Sequence, residues 1–426
     1  MRAEIITIGD ELTSGSVQNT NATFIASQLH PLGIEVVKMT TVGDTHEDII
    51  KALRSTQGTV SVALVTGGLG PTVDDITTKA ASEAFRRKLL LNKEALKTME
   101  ERFQKFGRAM SSHNVRQAYL PTGATIVPNP IGTACGFHLA KDNTLFIFMP
   151  GVPREMQRMC EETVIPLLKR ELPETSIVKS QLLKIFGKSE SYCDQLLGKL
   201  IKKEREIRFA FLPHYPEITL KLTMRGNDTR AIEKKLKSVT RAVTRILGDI
   251  VFAEGEHTLE EVVGSLLKSQ GATLAVAESC TGGLITHRLT NVPGSSEYIE
   301  RTLVVYSTTS KKALLKVPTS LLNRYGAVSK EVAEHMARGV RTSSKTTVGL
   351  AVTGIAGPAG GTPEKPVGTV FIALAHARSV STEQLKFYGD REQIKFMTSQ
   401  YALDILRKQL IAQQLPSVQF DKTRGL

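Results

Sequence analysis

The chain has 426 residues, of which 41% are hydrophobic, and carries a formal net charge of +13 at pH 7. This suits a globular protein of two to four domains. It has no run of about 18 apolar residues, which excludes a single-pass helical membrane anchor. Its four cysteines (Cys135, Cys160, Cys193 and Cys280) are too far apart for a CxxC zinc knuckle or a disulfide framework.

The first apolar run, in MRAEIITIGDELTSG, is short and soon acidic, unlike a secretory h-region, so the expected setting is a reducing cytoplasm with no membrane partner. The positive charge is uneven. Between residues 177 and 250 there are 16 Lys and Arg against 8 Asp and Glu. A basic segment of this kind is either a nucleic-acid surface or a solvated face, and the second reading is preferred here.

In chain order, residues 3–9 read as a buried strand, followed by an acidic turn and a helix capped at Thr20 or Asn21. Strands follow at 34–43 and 62–68, with a helical stretch from His46 between them, and Asp74 and Asp75 are expected to open another helix. This alternation predicts a parallel sheet with crossover helices. A strand at 145–149 breaks at Gly151 and Pro153 into a helix. Residues 172–176 (LPETS) read as a linker to a smaller module with a strand at 217–225 and a helix at 229–247. From Thr258 a third unit begins: a helix, the strand TLAVAES, the turn CTGG, a strand at 348–354, a Gly/Pro-rich loop and a strand at 367–375. The domains expected are 1–170, 171–255 and 256–415, with a flexible tail at 416–426.

Two turns at strand carboxyl ends stand out in the first domain: GDELTSG (9–15) and TGGLGPTVDD (66–75). Ligands of parallel α/β sheets gather beyond these ends. Gly9, Asn21, Gly67, Gly68, Gly70 and Thr72 are candidates for a nucleotide cradle. Asp10, Asp74 and Asp75 are hard oxygen donors suited to a divalent metal ion. In the last domain AVAESCTGG (275–283) places Ser279 on a strand-to-helix turn, with the helix expected near Thr281. The amides of Thr281, Gly282 and Gly283 could then serve an oxyanion or a phosphate. A bare SCTG tetrad would equally be an N-cap.

These motifs carry a resemblance. GDELTSGSVQNTN, VTGGLGPTVDDIT, NPIGTACGF and FMPGVPREM resemble the molybdopterin-binding-like domain of the CinA family. AVAESCTGG, YSTTSKKALLKV, VTGIAGPAGGTPEKPVGTV and FYGDREQIK resemble the family's C-terminal nicotinamide mononucleotide deamidase domain. Departures are Cys135 in place of a proline, Thr13 in place of a leucine, and Thr308, Thr309 and Ser310 where the family has Asn-Glu-Ala. The resemblance implies an α/β chain: a three-layer N-terminal domain of molybdenum-cofactor-biosynthesis type, a small α+β KH-like middle domain and a C-terminal α/β deamidase domain. It further implies that nicotinamide mononucleotide is converted to nicotinate mononucleotide and ammonia through a Ser279 acyl-enzyme.

Carried onto this chain, Ser279 is the nucleophile, Lys311 the base and Tyr306 a proton relay or orienting group. No histidine lies in these four motifs, His287 being the nearest, and Cys280 is the rival nucleophile. Gly357, Gly360, Gly361, Thr362 and Arg391 are candidates for the ribose phosphate, with Asp390 beside them. No cofactor is expected for the deamidase. The first domain is expected to hydrolyse ADP-ribose with a divalent metal, and the chain to form a homodimer. The middle domain has no GXXG between residues 170 and 250, so nucleic acid is not expected as a partner. The rival functions are a molybdopterin-binding protein and an interaction protein of competence or DNA repair.

Overall fold

The computed structural model describes residues 1–107, 109–171 and 177–414. The expected linker at 172–176 and the tail from 416 lie outside them. Two compact units are distinguished: Met1–Lys179 with Met224–Lys235, and Ser180–Thr223 with Leu236–Leu426. Among the described residues, no helix is long and apolar enough to cross a membrane.

The first unit is built on β1 (Arg2–Ile8), β2 (Glu35–Val42) and β3 (Val62–Thr66). A small pair, β4 (Leu89–Leu91) and β5 (Tyr119–Pro121), stands apart, and β6 (Thr125–Val127), β7 (Gly136–Lys141) and β8 (Thr144–Met149) complete the main sheet. Its order is β2-β1-β3-β8-β7-β6. β1, β2, β3 and β8 run parallel, with Ile5 opposite Leu64 and Leu64 opposite Ile147. β6 and β7 are antiparallel additions. β1 and β3 are buried almost throughout because helices cover both faces. Ile6, Val65 and Phe148 face one apolar layer, and Ile5, Leu64 and Ile147 face the other.

A four-residue helix, Asp10–Thr13, forms in the acidic turn after β1, and the next helix, Thr20–Leu29, starts at the expected Thr20; its cap is Asn19, not Thr20 or Asn21, and the Asn19 side chain accepts from the Ala22 amide. Asp74 and Asp75 lie in a turn, and the next helix opens only at Thr77. The reason is that Asp75 closes a local loop with Thr72, which costs the helix its first turn.

The middle strands are β9 (Ile177–Ile185), β10 (Ile207–His214), β11 (Glu217–Gly226) and β12 (Val251–Glu254), in the order β10-β11-β9-β12. Helices Glu190–Lys203 and Thr229–Leu247 accompany them, the latter with the bounds read from sequence.

The last sheet has β13 (Leu274–Glu278), β14 (Ile299–Val304), β15 (Val348–Gly354), β16 (Thr369–Ala375) and β17 (Val380–Lys386) in the order β14-β13-β15-β16-β17. β13 lies parallel to β14 and β15, so its carboxyl end opens between two like-directed neighbours. Phe186, which follows β9, and Phe252 of β12 join Leu274, Val276 and Leu403 in one core layer, and Ala275, Ala277 and Met336 form the other.

Candidate functional sites

Ser279 follows the last residue of β13, and its amide donates to the Val352 carbonyl of β15 (3.1 Å), which fixes its backbone. Gly282 and Gly283 then take left-handed φ values of 64° and 99°, which only glycine adopts without strain. The helix begins at Leu284, three residues after the expected Thr281.

A residue not anticipated from sequence explains the delay. Glu278 is fully buried. Its Oε2 accepts from Thr281 Oγ1 (2.7 Å) and from the amides of Gly283 (3.0 Å) and Ile285 (3.1 Å). Its Oε1 accepts from the Thr286 amide (2.8 Å) and hydroxyl (2.6 Å). The helix end is thus satisfied from within by a carboxylate, the ion it favours. The Gly282 amide donates to the Ser279 carbonyl (3.1 Å). This corrects the expected use of Gly282 and Gly283: their amides, with Thr281 Oγ1, hold the turn and are not presented to an oxyanion or phosphate. A glutamate inside an otherwise apolar strand was the available signal.

Lys311 lies on the helix Thr308–Leu315, capped by Ser307, so Thr308, Thr309 and Ser310 do not prevent the helix from forming. Its side chain is among the largest fully buried ones, and Nζ meets Ser279 Oγ at 2.9 Å, the Val305 carbonyl at 2.7 Å and the Tyr306 carbonyl at 3.2 Å. Burial lowers its pKa to about 8. A neutral amine there donates to the two carbonyls and keeps its lone pair for the Ser279 hydroxyl.

Cys280 is buried in the core layer, and burial pushes its thiol up to about 12. It is a packing residue beside the site and not a competing thiolate.

Tyr306 is placed differently from expectation. Its phenol oxygen accepts from Arg391 Nη2 (2.6 Å), and only its main-chain carbonyl meets Lys311. It therefore carries no proton between Lys311 and Ser279 in this arrangement. Arg391 also donates to the Gly357 carbonyl (2.7 Å), so one guanidinium gathers Tyr306 and the glycine loop. Further along that loop, past Gly360 and Gly361, Thr362 is engaged in a turn with Lys365: its amide donates to the Lys365 carbonyl (2.9 Å), and its hydroxyl accepts from the Lys365 amide (3.1 Å). Lys365 Nζ anchors the loop on the carbonyls of Tyr325 (2.6 Å) and Val328 (2.7 Å). Lys395, one helical turn after Arg391, brings Nζ to 3.8 Å from where a Cβ on Gly282 would sit.

In the first unit a cavity of about 440 Å³ opens beyond β1, β3 and β8. Gly9, Gly67, Gly68, Gly70, Thr72, Asp74 and Asp75 line it as expected, and a Cβ on Gly67 would strike the Ile8 carbonyl. Asn21 instead lines an adjoining cavity, where its Nδ2 ties Thr66 Oγ1 (3.2 Å) to the Gly151 carbonyl (2.8 Å). Asp10 is absent from the lining. Its Oδ1 accepts from the Asp44 amide and Asp44 Oδ2 from the Asp10 amide, each at 2.9 Å.

Asp75 Oδ2 holds the Thr72 amide (2.8 Å) and hydroxyl (2.6 Å). Among the described residues, no three His, Cys, Asp or Glu side chains converge as a metal site, so Asp10, Asp74 and Asp75 are not a ready-made ligand set. Glu11, Asp44 and Glu155, which the sequence did not single out, line the cavity with Asp74 and Asp75, and no Lys or Arg is among its described lining residues. Asp44 is raised by burial and by the charges of Asp10, Glu11 and Asp74. Glu155 is oriented by the buried Asn129, which donates to it (2.7 Å) and accepts from the amides of Ile131 (3.2 Å) and Gly132 (2.7 Å). Cys135, following this loop, is another buried packing residue, its thiol raised to about 11 by burial.

Family models match along the chain: a probable molybdopterin binding domain over residues 4–170, a damage-inducible protein CinA KH domain over 180–253 and a CinA C-terminal domain over 256–410. A CinA-like protein of Geotalea uraniireducens is 43% identical over 412 residues, 97% of this chain and 98% of that one. A CinA-like protein of Geotalea daltonii is 44% identical over 97% of this chain and all of its own. Among solved structures, the competence/damage inducible protein CihA of Agrobacterium tumefaciens is 38% identical over 36% of this chain and 93% of its own, with a TM-score of 0.35.

Proposed function

Because the chain belongs to the CinA family, with a molybdopterin-binding-like, a KH-like and a CinA C-terminal domain, we propose that its last domain hydrolyses the carboxamide of nicotinamide mononucleotide. The observation that carries this reading is the buried Lys311 nitrogen 2.9 Å from Ser279 Oγ. Neutral Lys311 takes the hydroxyl proton as Oγ bonds to the carboxamide carbon. The resulting ammonium returns that proton to the departing nitrogen as the C–N bond breaks, releasing ammonia. Water, giving a proton to Lys311, then attacks the ester; Ser279 regains its hydrogen from Lys311 as its bond to carbon breaks, and the acid loses its proton to solvent and leaves as the carboxylate. Arg391 and Lys395 supply the positive charge for the ribose phosphate. No metal enters this sequence of steps. The test is ammonia release from nicotinamide mononucleotide by wild type, Ser279→Ala and Cys280→Ala. Loss of about a thousandfold or more in the first, with Cys280→Ala within a few-fold of wild type, is expected. Well-folded wild type that releases no ammonia overturns the reading.

A second activity is proposed for the first domain: metal-dependent hydrolysis of ADP-ribose. It is favoured by a cavity lined with carboxylates and without a described cation. A pyrophosphate would be repelled there unless a divalent ion lay between. Glu11, Asp44 and Asp74 line the cavity as separate oxygen donors and would have to draw together around such an ion, which would supply charge neutralisation. The remaining proposals are a cytoplasmic setting and a homodimer. The basic middle domain is read as a spacer or dimerisation element without nucleic-acid grip.

A further inference from the structure

The mouth of the deamidase site holds an aromatic ring with no role in the proton transfers above. Tyr306 is 58% exposed. Isolated exposed aromatics are ordinary, but this one is fixed at both ends. Its carbonyl is held by Lys311 Nζ, the same atom that meets Ser279, and its phenol oxygen is held by Arg391, itself locked to the Gly357 carbonyl. A tyrosine side chain has two soft torsions, and pinning the far end removes most of their freedom. The result is a preset flat face on the residue whose own carbonyl holds the lysine that activates the nucleophile. The ring joined to the scissile carboxamide in nicotinamide mononucleotide is a flat, N-alkylated pyridinium whose positive charge is delocalised. A cation over an aromatic face is attracted by the ring quadrupole, and more strongly where water is displaced.

We propose that Tyr306 is a specificity-determining platform: its ring stacks on the substrate's pyridinium and selects the cationic nucleotide over a neutral ring of the same outline. The proposal rests on the deamidase reading. It separates two tasks at the mouth, with the tyrosine face reading the ring and the Arg391 and Lys395 cations reading the phosphate.

The test uses full-length protein carrying Ser279→Ala, so that binding is measured without turnover. Calorimetry compares nicotinamide mononucleotide with its reduced dihydropyridine form, which keeps the carboxamide, ribose and phosphate but has an uncharged ring. The oxidised form is expected to bind roughly tenfold more tightly. Adding Tyr306→Phe keeps the aromatic face and leaves that ratio in place, although both ligands weaken as Arg391 loses its anchor. Adding Tyr306→Leu brings the ratio close to one, with the melting temperature confirming a folded domain. A ratio unchanged in Tyr306→Leu, or already close to one with tyrosine present, overturns the platform and leaves the deamidase reading standing. Binding of neither nucleotide to Ser279→Ala overturns the deamidase reading itself and the platform with it.

Discussion

The two candidate sites share a topological position and differ in electrostatics. Each lies beyond the carboxyl ends of adjacent parallel strands, β1, β3 and β8 in one case and β13, β14 and β15 in the other, where left-handed glycines turn the chain toward a helix. At the first, described carboxylates from Glu11, Asp44, Asp74, Asp75 and Glu155 face a cavity without a lysine or arginine in its described lining. At the second, a buried lysine touches a serine hydroxyl, and the neighbouring carboxylate, Glu278, is consumed by five hydrogen bonds to its own turn. Sheet topology places a site, and the charge left unsatisfied there selects its chemistry. One site offers carboxylates without a described cation; the other carries its own amine.

The comparison breaks most readily on metal. A chelator is expected to abolish ADP-ribose hydrolysis, a loss of at least about a hundredfold, while leaving ammonia release at its original rate. Equal sensitivity of both activities would remove the distinction. Next in size is Lys311→Met, expected to lower ammonia release by about 10²–10⁴-fold. In wild type the base form is required, so the rate should climb with pH and level off above about 8, the value to which burial lowers Lys311. A profile flat between pH 6 and 9 would exclude lysine as the base.

The same shift carries a stability sign. The folded pKa lies below the unfolded value near 10.5, so the unfolded chain binds more protons between about 8 and 10.5. This group's contribution therefore becomes more favourable as pH rises through that window. Smaller again, Glu278→Gln should destabilise the last domain by about 2–3 kcal/mol, because an amide nitrogen then faces donors that had a carboxylate; thermal melting measures it. Asn21→Ala should cost about 1 kcal/mol by releasing Thr66 from Gly151, without changing ammonia release.

Local signals carried well where one periodicity or one turn decided the outcome. The buried strands near Ile5, Leu64, Val276 and Leu350 were legible because a parallel strand covered on both faces is apolar along its length. The glycines of both turns were legible because positive φ admits little else. Two helix starts were misread, at Thr77 and Leu284, since a nearby carboxylate competes with the helix for the same donors, and that competition is settled by backbone geometry.

The roles of Tyr306 and Asp10 were not legible for a related reason. A side chain's partner is whatever chain distant in sequence arrives beside it: Arg391 for Tyr306, and the Asp44 amide for Asp10. By itself the sequence determined the residue types available to each site and the strands that carry them. Only the tertiary structure decided which amine was dry enough to act as a base, which carboxylates remained unpaired and which aromatic face stood free, because desolvation and pairing are properties of the packed neighbourhood.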